Sequence, residues 1–341
     1  MITEVKKNGQ SGGGHNKLDN MKLAIVGPGI MPIPPDGWGA VERAIWYRAC
    51  ALGELGHEGD ILNTPDMNEI AKECLEGDYD AIHFHYDQHY PVVDYLYGKV
   101  KCPILFSSHY PYIEQVNMHR QDGYDRVFDW MISNGNKFYN FAVSPKNYDF
   151  FVENGFPKDR IFPLREGPLV SEFRYTEECE KPDKSLYLGQ IGERKKQYKY
   201  QSIPGIEFVG RYFPGTSFDT DNENYLGEFK SNDILTSYAN LILLSDGENG
   251  TAMVVMEAFI AGLGVVVSEQ NTNELDTSLD FIEVIPDDKL DDLEYVSSRI
   301  SENRKISLSK RNEIREYGIK SFSLFEKMKK YSADIESIIN S

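Results

Sequence analysis

The sequence predicts an α/β chain of two doubly wound, Rossmann-like domains facing each other across a cleft. Three observations lead there. Short apolar runs alternate with helical patterns along most of the chain, which implies parallel sheets covered by helices on both faces. The alternation stops at a polar stretch, Tyr175 to Asp183 (YTEECEKPD), and then restarts. The length, 341 residues, suits two domains of about 150 residues with well-filled cores.

Residues 1–20 are polar and Gly-rich, lack the apolar segment of a signal peptide and read as a disordered leader. The first domain, 21–175, opens with a strand at Lys22–Val26 (KLAIV). A Gly/Pro loop, Gly27–Gly39, leads into a helix over Ala40–Leu55, which Gly56 ends. Strands follow at Gly59–Asn63, Tyr79–Phe84, Pro103–Ser107 and Asn140–Val143, with helical segments at Val92–Gly98 and Pro145–Asn154. Residues 176–183 are the expected linker. The second domain, 184–318, restarts with a strand at Lys184–Gly189 and continues with strands near Glu207–Gly210, Leu241–Ser245 and Val265–Ser268. The last segment, 319–341, is an amphipathic helix (FSLFEKMKKYSADIESII from Phe322).

Bulk properties exclude several classes. Thirty-six basic against 54 acidic residues leave a net charge of −18, which opposes nucleic acid as a ligand and permanent docking on anionic lipid. No apolar run reaches the roughly 18 residues of a membrane span, so no stable membrane insertion is expected. Cys50, Cys74, Cys102 and Cys179 are scattered and form no CxxC pair. Neither zinc nor a disulfide framework is indicated, and a reducing cytoplasm fits.

The chemistry concentrates in Leu241–Glu269. A buried strand is followed by a polar loop, Ser245–Gly250, and by an almost wholly apolar helix over about Ala252–Ala261. Thr251 is placed to cap that helix and Gly262 to end it. Glu257 sits among apolar residues on this helix, so its carboxylate needs a partner. The amides of Thr251, Ala252 and Met253, after Gly250, would point out of the helix N-terminus, where a phosphate is electrostatically favoured. If 248–257 were all helical, nine steps of about 100° would put Glu248 and Glu257 on opposite faces. Glu248 must therefore lie in the loop for both acids to face one ligand. Elsewhere, Gly27–Glu42 is a Gly/Pro-rich turn before a helix, but it is not GxGxxG, so an oxidoreductase fingerprint is missing. His109 ends the strand-loop PILFSSHYPY, a position facing the ligand crevice of an open sheet. His83 and His85 are expected on opposite faces of their strand, and with His89 they lack the carboxylate or Cys partners of a metal site. Arg194, Lys195 and Lys196 form a basic turn that could focus an anionic substrate.

Glu248-x8-Glu257 followed by Ala258–Leu263 resembles the paired-glutamate motif of retaining GT-B glycosyltransferases, family 4, with a spacing one residue longer than usual. Pro34–Glu42 resembles the family's Pro-Pro-x-x-Tyr-Gly-Gly-x-Glu loop, with Trp38 for Tyr and Ala40 for the second Gly. Gly189–Lys195 resembles its Gly-Arg-x-x-x-x-Lys element, with Gln190 in place of Arg and Lys195 on the Lys position. Phe322-Ser323-Leu324 resembles its Phe-Ser-Trp segment, where the final helix crosses back onto the first domain. Arg165–Pro168 occupies the place of the hinge segment and matches it only at Gly167 and downstream at Phe173.

The resemblance implies a metal-independent, retaining hexosyltransferase without a cofactor, using a UDP- or GDP-sugar donor and a hydroxyl acceptor, glycan or small molecule. Glu248 and His109 would hold the donor sugar and Glu257 the ribose. Gly39, Ala40, Arg194, Lys195 and the 250–253 amides would hold the diphosphate. Apart from the resemblance, His85 is expected to line the acceptor region. A non-catalytic nucleotide-sugar binding protein of the same fold would keep Glu257 and the amide cradle without turning over.

Overall fold

The computed structural model describes residues 20–36, 39–248 and 250–341. The expected leader up to residue 19, and Gly37 and Trp38 of the Gly/Pro loop, lie outside the described residues. One sheet is built from β1 (Lys22–Val26), β2 (Glu58–Leu62), β3 (Ala81–Phe84), β4 (Ile104–Phe106), β5 (Tyr139–Ala142) and β6 (Ile161–Pro163), in the order β2-β1-β3-β4-β5-β6. A second sheet holds β7 (Lys181–Leu188), β8 (Ile206–Val209), β9 (Tyr238–Leu243), β10 (Gly264–Ser268) and β11 (Ile282–Ile285), in the order β11-β10-β9-β7-β8. Among the described residues every strand pairing is parallel. Counted from its own first strand, each sheet runs 2-1-3-4-5, and the first adds β6 at the far end.

That order positions the site. The chain steps from β1 to β2 on one side and returns to place β3 on the other, and β7, β8 and β9 repeat the move. Loops leaving the carboxyl ends of the two strands at such a reversal diverge, and ligands bind in the crevice they leave. One crevice lies between the loops after β1 and β3, the other between those after β7 and β9.

The strands are apolar on both faces because both faces are covered. Leu23 and Ile25 pack with Ile45 and Leu52 of the helix Ala40–Glu54, while Ala24 and Val26 pack with Ile70, Phe84 and Phe106 on the opposite face. The helix Arg311–Phe322 lies against the helix Met253–Ile260 of the second sheet. Gly318 permits that approach, since a Cβ there would fall 2.7 Å from the Phe259 carbonyl carbon. Ser323 breaks the helix, and Leu324–Ile339 crosses to the first sheet and packs on Ala40–Glu54. Leu324 is buried at the crossing, and the Tyr331 hydroxyl meets His83 Nδ1 at 2.7 Å.

Several details depart from the sequence reading. β7 begins at Lys181, inside the expected linker, and Lys181 pairs with Tyr238 while its amine meets Glu207 at 2.6 Å. The helices Met67–Glu76, Val116–Asp122, Asp125–Ser133 and Leu293–Ser309, with β6 and β11, were not anticipated. The first of these carries a readable signal. Asp66 accepts the amides of Asn68 (2.8 Å) and Glu69 (3.4 Å), and Glu69 follows it by three residues. β6 and β11 have three and four residues, too few for a periodicity to register. His83 and His85 do not point to opposite faces. Residues two apart along a strand share a face, and their rings lie 4.0 Å apart.

Candidate functional site

At the second crevice, the turn after β7 and the loop after β9 meet the start of the helix Ala40–Glu54 from the first sheet, enclosing a cavity of about 180 Å³. Tyr187 on β7 ties the two loops together. Its hydroxyl donates to the Lys195 carbonyl and accepts the Leu244 amide at 3.0 Å. Asp246 N also donates to the Arg194 carbonyl at 3.1 Å. The basic turn and the acidic loop are thereby held as one unit.

Glu248 lies in the loop, as the two-acid geometry requires. Its Oε1 accepts from Lys195, from Ser245 at 2.9 Å and from Arg194 at 2.9 Å. Burial would raise the Glu248 carboxyl, but Lys195 and Arg194 hold it down to about 2. Glu257 is fully buried on the helix Met253–Ile260. Arg43 Nη1 donates to its Oε1 at 2.9 Å and Oε2 at 3.2 Å, and to the Ser231 hydroxyl at 2.6 Å. Burial still keeps the Glu257 carboxyl above its ordinary range despite Arg43 and Ser231. Arg43 was missed in the sequence, although a signal existed. A cation at the start of a helix opposes the macrodipole, so its charge needs another reason to be there.

The helix N-terminus is displaced by one residue from the expected cradle. Ala252, not Thr251, is the N-cap, and it accepts the amides of Val255 (3.0 Å) and Met256 (3.3 Å) through its carbonyl. The Thr251 hydroxyl instead donates to the Asn273 carbonyl at 2.7 Å, and Asn273 donates to the Gly250 carbonyl at 3.3 Å. Ala252, Met253 and Val254 line the cavity, and Gly250 and Thr251 do not. Gly39 and Ala40 close the other side. Gly39 has φ 126°, a left-handed conformation, and a Cβ there would lie 2.7 Å from the Met31 sulfur.

His109 is not in this cavity. It lines a neighbouring one of about 450 Å³ at the first crevice, together with His85, Asp87, Tyr110 and Tyr124. Gly39, Ala40 and Gln190 line both cavities, so His109 and Glu248 approach from opposite sides of a shared wall. His85 Nδ1 meets His109 Nε2 at 3.1 Å. Burial pushes His109 down to about 4, with Glu166 and Arg48 in opposition to each other. The ring is therefore neutral at pH 7 and suited to hydrogen bonding. Asp87 is pushed up to about 6 by burial, against hydrogen bonds from Ser108 and Tyr124. The nitrogens of His83 are taken by Tyr331 at 2.7 Å and Ser107 at 2.8 Å.

No family model matches the sequence, and no curated protein sequence matches it. Solved structures do match its shape along nearly the whole chain. Sucrose-phosphate synthase from Thermosynechococcus elongatus aligns with TM-score 0.73 at 12% identity, over 94% of this chain and 99% of that one. HepE from Anabaena, solved with UDP-glucose, aligns with TM-score 0.70 at 12% identity, over 93% and 100%. AviGT4, a glycosyltransferase of avilamycin A biosynthesis, aligns with TM-score 0.65 at 15% identity, over 94% and 98%. The fold is GT-B. In GT-B terms, the first cavity described lies between the two sheets, with the basic turn and both glutamates on the side of the second. Among the described residues no helix is long and apolar enough to cross a membrane.

Proposed function

We propose that the protein is a retaining glycosyltransferase that moves a hexose from a UDP- or GDP-sugar to a hydroxyl acceptor, without an obligatory metal ion. One observation carries the reading: a single cavity at the second crevice gathers Arg43, Arg194 and Lys195 beside Glu248, Glu257 and a helix N-terminus. A diphosphate needs cations and amides, a ribose needs a carboxylate, and a hexose needs a further acceptor of hydroxyl hydrogens. All are within one enclosure, on a fold that HepE uses with UDP-glucose bound. Function rests on such sites, since the fold alone hosts many chemistries.

In this reading Arg194 and Lys195 turn part of their charge from Glu248 to the departing diphosphate, joined by the amides at the start of Met253–Ile260. The three contacts on Glu248 all fall on Oε1, which leaves Oε2 for a sugar hydroxyl. Glu257 receives the ribose diol in place of, or beside, Arg43. His109, reaching over the shared wall, takes a second sugar hydroxyl. Glu228 also lines the cavity beside Glu248 and Glu257. The reading assigns none of the three as a covalent nucleophile, and retention would proceed by attack on the face that the diphosphate leaves. Gly250 and Thr251 act by shaping the loop.

The test is a thermal-shift panel of UDP, GDP, ADP and NAD with and without EDTA, followed by turnover. Stabilisation by one nucleoside diphosphate, unchanged by EDTA, with transfer that keeps the anomeric configuration by NMR, is the expected result. Stabilisation by NAD alone defeats the reading. Binding of a nucleotide sugar with neither hydrolysis nor transfer would leave a binding protein of the same fold.

A further inference from the structure

The second cavity, at the first crevice, is wider than the first and differently charged. Its charged lining residues are Glu42, Asp87 and Asp122, and the described lining residues include no Lys or Arg. Two of these carboxylates are engaged with aromatic hydroxyls. Tyr110 donates to Asp122 at 2.6 Å and Tyr124 to Asp87 at 3.1 Å. The two tyrosine rings stack with centroids 3.9 Å apart. The wall also carries an unsatisfied group. His85 is 2% exposed, its Nδ1 faces His109, and its Nε2 has no protein partner among the described residues. A buried polar atom of this kind is costly unless something binds it, and His85 lines a cavity of about 450 Å³. The lining thus gathers carboxylates, phenol hydroxyls and imidazoles in a space beside the donor cavity.

From this lining we propose that the second cavity receives the acceptor as an uncharged, hydroxyl-bearing sugar ring, and excludes acceptors that carry a phosphate or carboxylate into it. The assignment rests on the transferase reading above and names the substrate class that the reading leaves open. Sugar hydroxyls donate to carboxylates and exchange hydrogen bonds with imidazole, while the ring's C–H faces lie against aromatic and aliphatic side chains such as Met31 and Val41. An anionic group there would meet three carboxylates and, among the described lining residues, no lysine or arginine. Like charges brought together in this way discriminate between partners by repulsion as much as by attraction.

The experiment compares acceptors matched in shape and different in charge. With the donor fixed by the nucleotide panel, p-nitrophenyl glucoside, galactoside and mannoside are assayed against the corresponding uronides and 6-phosphates, and donor hydrolysis is followed in parallel. We expect kcat/KM for a neutral glycoside to exceed that of its anionic counterparts by about 100-fold. Equal or reversed preference overturns the proposal. So does hydrolysis of donor with no transfer to any neutral glycoside. Absence of both donor binding and hydrolysis is a separate result and removes the transferase reading itself. A charge-reversal variant isolates the cause. Asp122 is exposed at the end of the helix Val116–Asp122, so Asp122→Lys is compatible with folding. It should narrow the neutral-to-anionic ratio about tenfold, and an unchanged ratio shows that these carboxylates do not discriminate.

Discussion

The two cavities share a wall at Gly39, Ala40 and Gln190 and sit at equivalent places on sheets of the same strand order. They nevertheless differ in charge. Three cations stand beside the glutamates of one, while the described lining of the other is acidic, aromatic and imidazole-bearing. Topology supplied two crevices, and the loops made them unlike. The Arg43–Glu257 pair joins the two halves at that boundary, because the helix of the first sheet places its guanidinium on a carboxylate of the second.

Removing that pair should break the contrast most severely. Glu257→Ala removes the carboxylate that Arg43 meets at 2.9 Å, and losing the buried member of such a pair costs about 3 kcal/mol. We expect a lower denaturant midpoint by that measure, and nucleoside diphosphate binding weakened by more than about 100-fold in calorimetry. Acceptor charge preference, a property of the other cavity, should be the quantity least altered in any residual turnover. A full-strength nucleotide signal in this variant would mean that Glu257 serves only the Arg43 pair.

A smaller loss is expected from Lys195→Met. Deleting one charge-assisted contact is worth about 2 kcal/mol, or roughly 30-fold in affinity, and it should fall on the diphosphate and spare the nucleoside. Titration calorimetry with diphosphate and with plain nucleoside separates the two. The same change removes one of the cations that hold Glu248 at about 2, so the Glu248 carboxyl should titrate at higher pH by NMR.

The unequal outcome of sequence reading follows the same division. Eight of the residues singled out for the donor, from Gly39 and Ala40 to Glu257, do surround one cavity, because they lie on short segments next to a strand end or a helix start, where local pattern fixes position. Thr251 was misread because a hydroxyl before a helix can cap it or reach sideways, and only the fold reveals that Asn273 is within reach. Arg43 and Ser231 were invisible as a set, since 188 residues separate them and Glu257 joins them only in space. The second cavity was least legible. Asp87, Tyr110, Asp122 and Tyr124 follow no motif, and their proximity depends on helices that the reading passed over.

Acid stability distinguishes the cavities in a different way. His109 falls to about 4 from an ordinary 6.5, and His83, His85 and His89 are lowered in the same direction by burial. Between the folded and unfolded values the unfolded chain binds more protons, so these groups make stability rise with pH. Asp87 acts in opposition. Its folded value of about 6 lies above the ordinary 3.8, so the folded state holds the extra proton in that window and stability falls as pH rises. Glu42, Glu114 and Glu257, whose carboxyls burial also raises, act with Asp87. Asp87→Asn should make the slope of Tm against pH between about 4.5 and 6 more positive. Parallel curves for the two proteins would mean that Asp87 ionises normally.

Gln190 offers the smallest and sharpest change, because it faces both cavities. Gln197 donates to its backbone carbonyl at 3.0 Å, a contact that substitution of the side chain keeps. An arginine there would add a cation to the donor side, where diphosphate charge exceeds what Arg194 and Lys195 can meet while they also hold Glu248. We expect Gln190→Arg to tighten nucleoside diphosphate binding by about fivefold. It should also bring a positive field to the edge of the acceptor cavity and relax the exclusion of anionic glycosides by a similar factor. If donor affinity rises while acceptor preference stays fixed, the wall screens one cavity from the other. If both move together, the charge contrast between the cavities depends on the uncharged residue between them.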